Sequence, residues 1–278
     1  VEETIQLATQ EKQPKTAGYV YRKEQDSEAD EIVKRQQRVR IMKFIKDYNQ
    51  PVNGLRRFAG LPSKEWAFER KLQELYQGAC SYVGFENDWR ITKWCDRYMP
   101  ASQPQNLNYK HFDLTTDEEN KKPQGRKNAN CFGAFYTDQS VLLYDDIEKI
   151  ILYDSESFVD EAAQCWFDER CRGWTMAWLD LMCCTSQILE KCLRSLEAWL
   201  HPEAKVVPIA ITIFKGHDRN ANKFHLVSED GCKVGQRRDW MLDVFKANKE
   251  FDVSSVDCWG YESAEGGPMA SYEFLLTR

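Results

Sequence analysis

The chain has 278 residues, of which 42% are hydrophobic, 13% aromatic and 29% charged, and its formal net charge is -6. That apolar content is enough for one large core or two small ones and excludes a disordered or fibrous chain. The acidic balance argues against a general nucleic-acid binder, because a phosphate backbone calls for a surplus of Lys and Arg.

Ten cysteines are an even number, but no spacing among them identifies disulfide partners. Cys165, Cys171, Cys183, Cys184 and Cys192 fall in one apolar stretch, where a free thiol behaves as a small buried hydrophobe. No Asn-x-Ser/Thr glycosylation acceptor occurs. The compartment stays open, and Val1 in place of Met reads as a processed or trimmed start.

Residues 1–26 form a polar arm with one β-prone patch at Tyr19-Val20-Tyr21, too poor in apolar groups to order itself. Ser27 caps a helix through about Tyr48, with Glu28, Asp30 and Glu31 in its first turn and Lys43 and Lys46 in its last, as the helix dipole favours. The middle of this helix is basic. Either it is a solvated face, or Arg35, Arg38 and Arg40 contact an acidic partner. A second helix enters at Leu61-Pro62-Ser63, buries Phe68, Leu72, Leu75 and Tyr76, and stops at Gly78. A short helix is expected over Glu86–Cys95, making 27–99 a mainly helical segment. Residues 100–130 are Gln-, Asn-, Lys- and Pro-rich and read as a long polar loop or boundary.

From Cys131 to Asp154 the runs CFGAFY, VLLYDD and KIILYD read as β-structure. Residues 157–200 read as the organising core, two buried helices divided at Gly173. Trp174, Trp178, Leu181, Thr185, Ile188, Cys192, Leu196 and Trp199 step by threes and fours, and Pro202 ends the run. Asp180, Glu190, Lys191 and Arg194 interrupt it too often for a membrane span. Strands over Lys205–Phe214, Lys223–Val227, Asp252–Tyr261 and Met269–Leu276 and a helix over Arg237–Asn248 complete a 131–278 body. The expected fold class is α+β: central buried helices, a β-hairpin region before them and a mixed strand/helix C-terminal part.

No Gly-rich phosphate loop, GxSxG elbow, HExxH, CxxC pair or EF-hand loop is present. The best local constellation is His217, Asp218, His225 and Asp230 with Arg219, in which a histidine beside carboxylates could act as a general base. Asp145-Asp146 before Glu148 reads as a solvated strand end; no metal site and no cofactor are expected. Tyr19-Val20-Tyr21-Arg22 resembles the strand that opens ADP-ribosyltransferase toxins. Thr115-Thr116 and Glu262-Ser263-Ala264-Glu265 do not supply that family's other two elements, so no functional residue follows from it.

With no catalytic signature, the expectation is a non-enzymatic structural or protein–protein interaction (assembly) protein. Its arm and basic helix would bind a second copy or other protein chains. The alternative is a small secreted enzyme, a hydrolase or transferase, with its site near His217, His225 and Asp230.

Overall fold

The computed structural model describes residues 28–62, 66–86, 98–102, 107–115, 131–181, 186–214, 232–247, 250–262 and 268–278. In chain order the elements are α1 (Glu28–Tyr48), β1 (Arg56–Gly60), α2 (Ala67–Leu75), β2 (Cys80–Phe85), β3 (Asn108–Asp113), β4 (Cys131–Tyr136), β5 (Ser140–Tyr144) and α3 (Ile147–Ile150). They continue with α4 (Glu161–Cys171), β6 (Met176–Leu181), α5 (Ser186–Ser195), β7 (Val206–Phe214), α6 (Cys232–Lys246), β8 (Asp252–Glu262) and β9 (Pro268–Thr277).

All of these strands join one nine-stranded sheet in the order β3-β4-β5-β2-β1-β6-β7-β9-β8. The centre, β5-β2-β1-β6-β7, is parallel. Antiparallel pairs flank it, β3-β4 on one side and β9-β8 on the other. The chain starts in the middle, winds outward through β2 to β5, then crosses back to lay β6 on the opposite side of β1. That reversal makes the β1/β6 crevice a topological switch point.

This architecture corrects the α+β expectation and its helical centre. Residues 157–200 are α4, β6 and α5 instead of a helical hairpin. The reason is physical: a strand covered on both faces is apolar throughout, so steps of three and four can be read into it as easily as steps of two. Trp178 and Asp180 face α1, while Ala177, Leu179 and Leu181 enter the opposite core. Gly173, at φ +79, ends α4 in the left-handed region and lets the chain turn into β6.

The segment 27–99, expected as mainly helical, supplies β1 and β2, and the polar stretch 100–130 contains β3. KIILYD forms α3 and a turn, not a strand. The helices at 28–48 and 67–75, the β4–β5 hairpin, β7, α6, β8 and β9 lie close to where the sequence places them. The arm, the strand over Lys223–Val227 and, apart from Glu86, the helix over Glu86–Cys95 fall outside the described residues.

Two cores sandwich the sheet. On one face Ile41, Phe44 and Ile45 of α1 pack with Phe58, Phe68, Leu72, Tyr82, Met176 and Ala210. On the other, Phe167, Trp174, Leu193, Trp199, Phe245 and Phe274 lie in one cluster. The Trp174 and Trp199 rings are 5.0 Å apart, and Trp199 Nε1 donates to the Ile151 carbonyl at 2.9 Å, so the buried indole is satisfied. Cys80, Cys131, Cys165, Cys171 and Cys258 carry free thiols. Among the described residues no helix is long and apolar enough to cross a membrane.

Candidate functional site at the carboxyl edge of the sheet

Three acidic residues stand at the carboxyl ends of parallel strands around the switch point. Glu86 follows β2, and its backbone N–H donates to the Leu143 carbonyl of β5 at 3.0 Å. Asp145 follows β5, and Asp180 is the penultimate residue of β6. Between them β1 ends at Gly60, where an added Cβ would lie 2.8 Å from the Phe58 ring and 3.0 Å from the Trp178 carbonyl. The turn after β1 folds over β2. A Cβ on Gly84 would meet Trp66 at 2.8 Å and Pro62 at 2.9 Å, so glycine is what lets the turn lie flat there.

Asp145 accepts from Lys149 Nζ at 3.1 Å and from the Tyr153 hydroxyl at 3.2 Å, and Lys149 also reaches Asp146 at 3.0 Å. Burial, followed by the charge of Asp145, pushes the Tyr153 phenol up. Lys149 therefore stands where the Asp145-Asp146 pair would hold a cation, and no group of three metal-ligating side chains exists among the described residues.

Asp180 is different. Its Oδ1 is sealed from solvent without a hydrogen-bond partner among the described residues, and burial raises its carboxyl to about 7, against a smaller lowering by Lys34. Across the sheet Asp180 is level with Thr212 and Ser271, and one pleat back Trp178 is level with Ala210 and Glu273. Glu273 is likewise buried with Oε1 unpartnered. Burial and then Asp257 raise it to about 7, while Arg40 and Lys43 pull it down.

The helix α1 packs on β7 and β9 above this acidic row, with most of its cations exposed. Lys34 acts on Asp180 and Lys43 on Glu273, while Arg40 pairs with Asp257 and stacks 3.9 Å over the Trp259 ring. Arg38 acts on Glu69 of α2, and Arg35 is exposed. Of the basic residues singled out in the sequence, Arg40 is thus engaged inside the chain. His217, Asp218, His225 and Asp230 lie outside the described residues. The sequence reading missed Glu86, Asp180 and Glu273; the available signal was a single acid inside or just after an otherwise apolar strand.

No family model matches the chain, and no curated protein matches it. Among solved structures it is similar to a 16S rRNA (adenine(1408)-N(1))-methyltransferase from Catenulisporales acidiphilia, at 10% identity over 87% of this chain and 92% of that one, with a TM-score of 0.39. A precorrin-6y C5,15-methyltransferase from Geobacter metallireducens matches at 6% identity over 87% and 88%, TM-score 0.39. An arsenic (III) S-adenosylmethionine methyltransferase from Chlamydomonas reinhardtii matches at 8% over 88% and 73%, TM-score 0.42. Overlaps of this size do not establish kinship. The expectation of a non-enzymatic assembly protein is nevertheless corrected on the structure itself, which sets a carboxyl without a partner among the described residues, Asp180, at the switch point of an open parallel sheet, where folds of this kind place their sites.

Proposed function

We propose that the chain is a methyltransferase that takes S-adenosylmethionine as donor and serves a nucleophile held between α1 and the carboxyl ends of β6 and β7. The observation that carries this is the acidic edge: Glu86, Asp145 and Asp180 around the glycine that ends β1. In open sheets of this kind a ligand sits outside the carboxyl strand ends, and an acid after the second strand bonds ribose hydroxyls. A dinucleotide would also need a glycine-rich turn to cradle its pyrophosphate. The stretch Gly60-Leu61-Pro62-Ser63-Lys64-Glu65-Trp66 offers none, and an acidic rim repels phosphate.

A nucleoside with no phosphate and a positive charge is what such a rim attracts. S-adenosylmethionine has a ribose, a sulfonium and an ammonium, and the partnerless Asp180 Oδ1 fits a cationic group. When bound, the donor supplies an electrophilic methyl group. Glu86 holds the ribose edge. Asp180, poised near neutrality by burial, can take the proton that an acceptor hydroxyl or amine gives up as it bonds to the methyl carbon, while the sulfonium–methyl bond breaks and S-adenosylhomocysteine leaves as a neutral thioether.

Isothermal titration with S-adenosylmethionine and S-adenosylhomocysteine tests the reading. One-to-one binding is expected, weakened about ten-fold or more by Glu86→Ala. NAD should not bind. Absence of binding by either adenosyl compound, or a Glu86→Ala variant that binds like the wild type, would overturn it.

A further inference from the structure

The start of α2 lies over the carboxyl end of β2, since a Cβ on Gly84 would meet the Trp66 ring at 2.8 Å. At the far end of the helix the Arg56 guanidinium lies 4.2 Å over the Tyr76 ring, and Arg56 is level with Cys80 in the register of β1 with β2. α2 therefore runs antiparallel to β2. The lengths agree: from Trp66 to Tyr76 a helix rises about 15 Å, and from Cys80 to Gly84 a strand rises about 13 Å. Cys80 and Tyr82 face this side of the sheet, Val83 and Phe85 the other. Glu69 follows Trp66 by one turn on the same helix face and so stands over the middle of β2, on the side to which Tyr82 points.

Trp66 is fully buried, Tyr82 is 1% exposed and Glu69 3%. Trp66 Nε1, Glu69 Oε2 and the Tyr82 hydroxyl each lack a hydrogen-bond partner among the described residues. The three differ in kind: an indole N–H only donates, a carboxyl oxygen accepts, and a phenol does either. A cation would be repelled by the indole N–H and would find little charge on Glu69, whose carboxyl burial pushes up to about 7. An anion would meet the lone pairs of Glu69. Water alone among small ligands can accept from the indole, donate to the carboxyl and take either role toward the phenol, and about three such bonds are what a buried water makes.

We propose that α2 and β2 enclose an ordered water bound to Trp66 Nε1, Glu69 Oε2 and the Tyr82 hydroxyl. It pins the start of α2 to the strand that leads into Glu86. The site stands apart from the methyltransferase reading, because none of its three groups has a role there.

A high-resolution crystal structure of the wild type tests this directly. Density for a water within hydrogen-bond distance of two or more of the three groups is expected. Its absence, or direct bonds from these groups to other protein atoms, overturns the proposal. Denaturation at about pH 5, where Glu69 stays protonated, gives the counterpart in solution. Tyr82→Phe, which keeps the ring, should lower the folding equilibrium constant by about five-fold less in a Glu69→Leu background than in the wild type, because the shared water is already lost there. Equal effects in the two backgrounds, to within about two-fold, overturn the proposal as well. Neither measurement involves S-adenosylmethionine, so a failure of the proposed function leaves this site standing.

Discussion

Arg57, on the first strand of the sheet, reaches the last turn of α4: its Nη1 donates to the Glu169 carbonyl at 2.9 Å and also to the carbonyl of Arg172. Its Nε donates to Ser81 Oγ of β2 at 3.1 Å. Carbonyls at a helix carboxyl end have no partner within the helix, and a half-buried guanidinium satisfies two of them here. Arg57→Ala should therefore cost about 1–2 kcal/mol in urea unfolding, because it removes three hydrogen bonds at partly exposed acceptors that water can serve only in part. Arg57→Lys should recover less than half of that, since an ammonium cannot reproduce the planar fork. A loss below about 0.5 kcal/mol would show that water serves these carbonyls equally well.

Glu69 sits on α2 at 3% exposure with Oε2 unpartnered, and burial raises its carboxyl to about 7 while Arg38 offsets only part of the effect. The folded chain therefore holds this proton more tightly than the unfolded chain does. Its contribution is most favourable below the ordinary glutamate range, and stability is lost as pH rises from there through about 7. Asp180 and Glu273 are raised likewise and add to the same slope. Chemical denaturation at about pH 5 and about pH 8.5 should show Glu69→Gln gaining on the wild type by on the order of 2–3 kcal/mol at the higher pH and near zero at the lower. An equal difference at both pH values would mean that the carboxyl titrates normally.

Gly84 is the contact between β2 and the turn after β1, with Trp66, Pro62 and Leu142 all within 3.0 Å of where a Cβ would stand. Gly84→Ala should destabilise by about 1–3 kcal/mol, as overpacking does. It should also weaken S-adenosylmethionine binding more than Gly78→Ala, because Gly78 has nothing within 4 Å and its substitution strains only a surface turn. Melting temperature and titration calorimetry on the two variants separate these effects.

What the sequence discloses depends on how local the signal is. α1 is legible from its cap and charge gradient, and β7 and β9 from β-branched and aromatic runs. In Met176–Leu181 every residue but Asp180 is apolar, so no period distinguishes strand from helix; only the flanking β1 and β7 decide it. In β1, Arg56 and Arg57 hide a central strand behind two charges, because one guanidinium lies over the Tyr76 ring and the other caps α4. The site is legible still less. Asp180 shows in the sequence only as an interruption of an apolar run, and Glu273 as one acid in a strand. That they share one face of the sheet depends on the register of β7 with β9, which no nearby residue encodes.

β9 follows β8 in the chain but lies inside it in the sheet. β9 lies between β7 and β8 and pairs with both, so a chain lacking 268–277, whether truncated or still emerging from the ribosome, leaves two facing rows of backbone donors and acceptors open. Such a chain also lacks Ser271 and Glu273, and with them part of the buried polar row under α1. Closure of the sheet and completion of the site therefore become one event in synthesis. Before it, the open edges of β7 and β8 are templates for strand addition from another chain, an aggregation hazard that β9 removes on arrival.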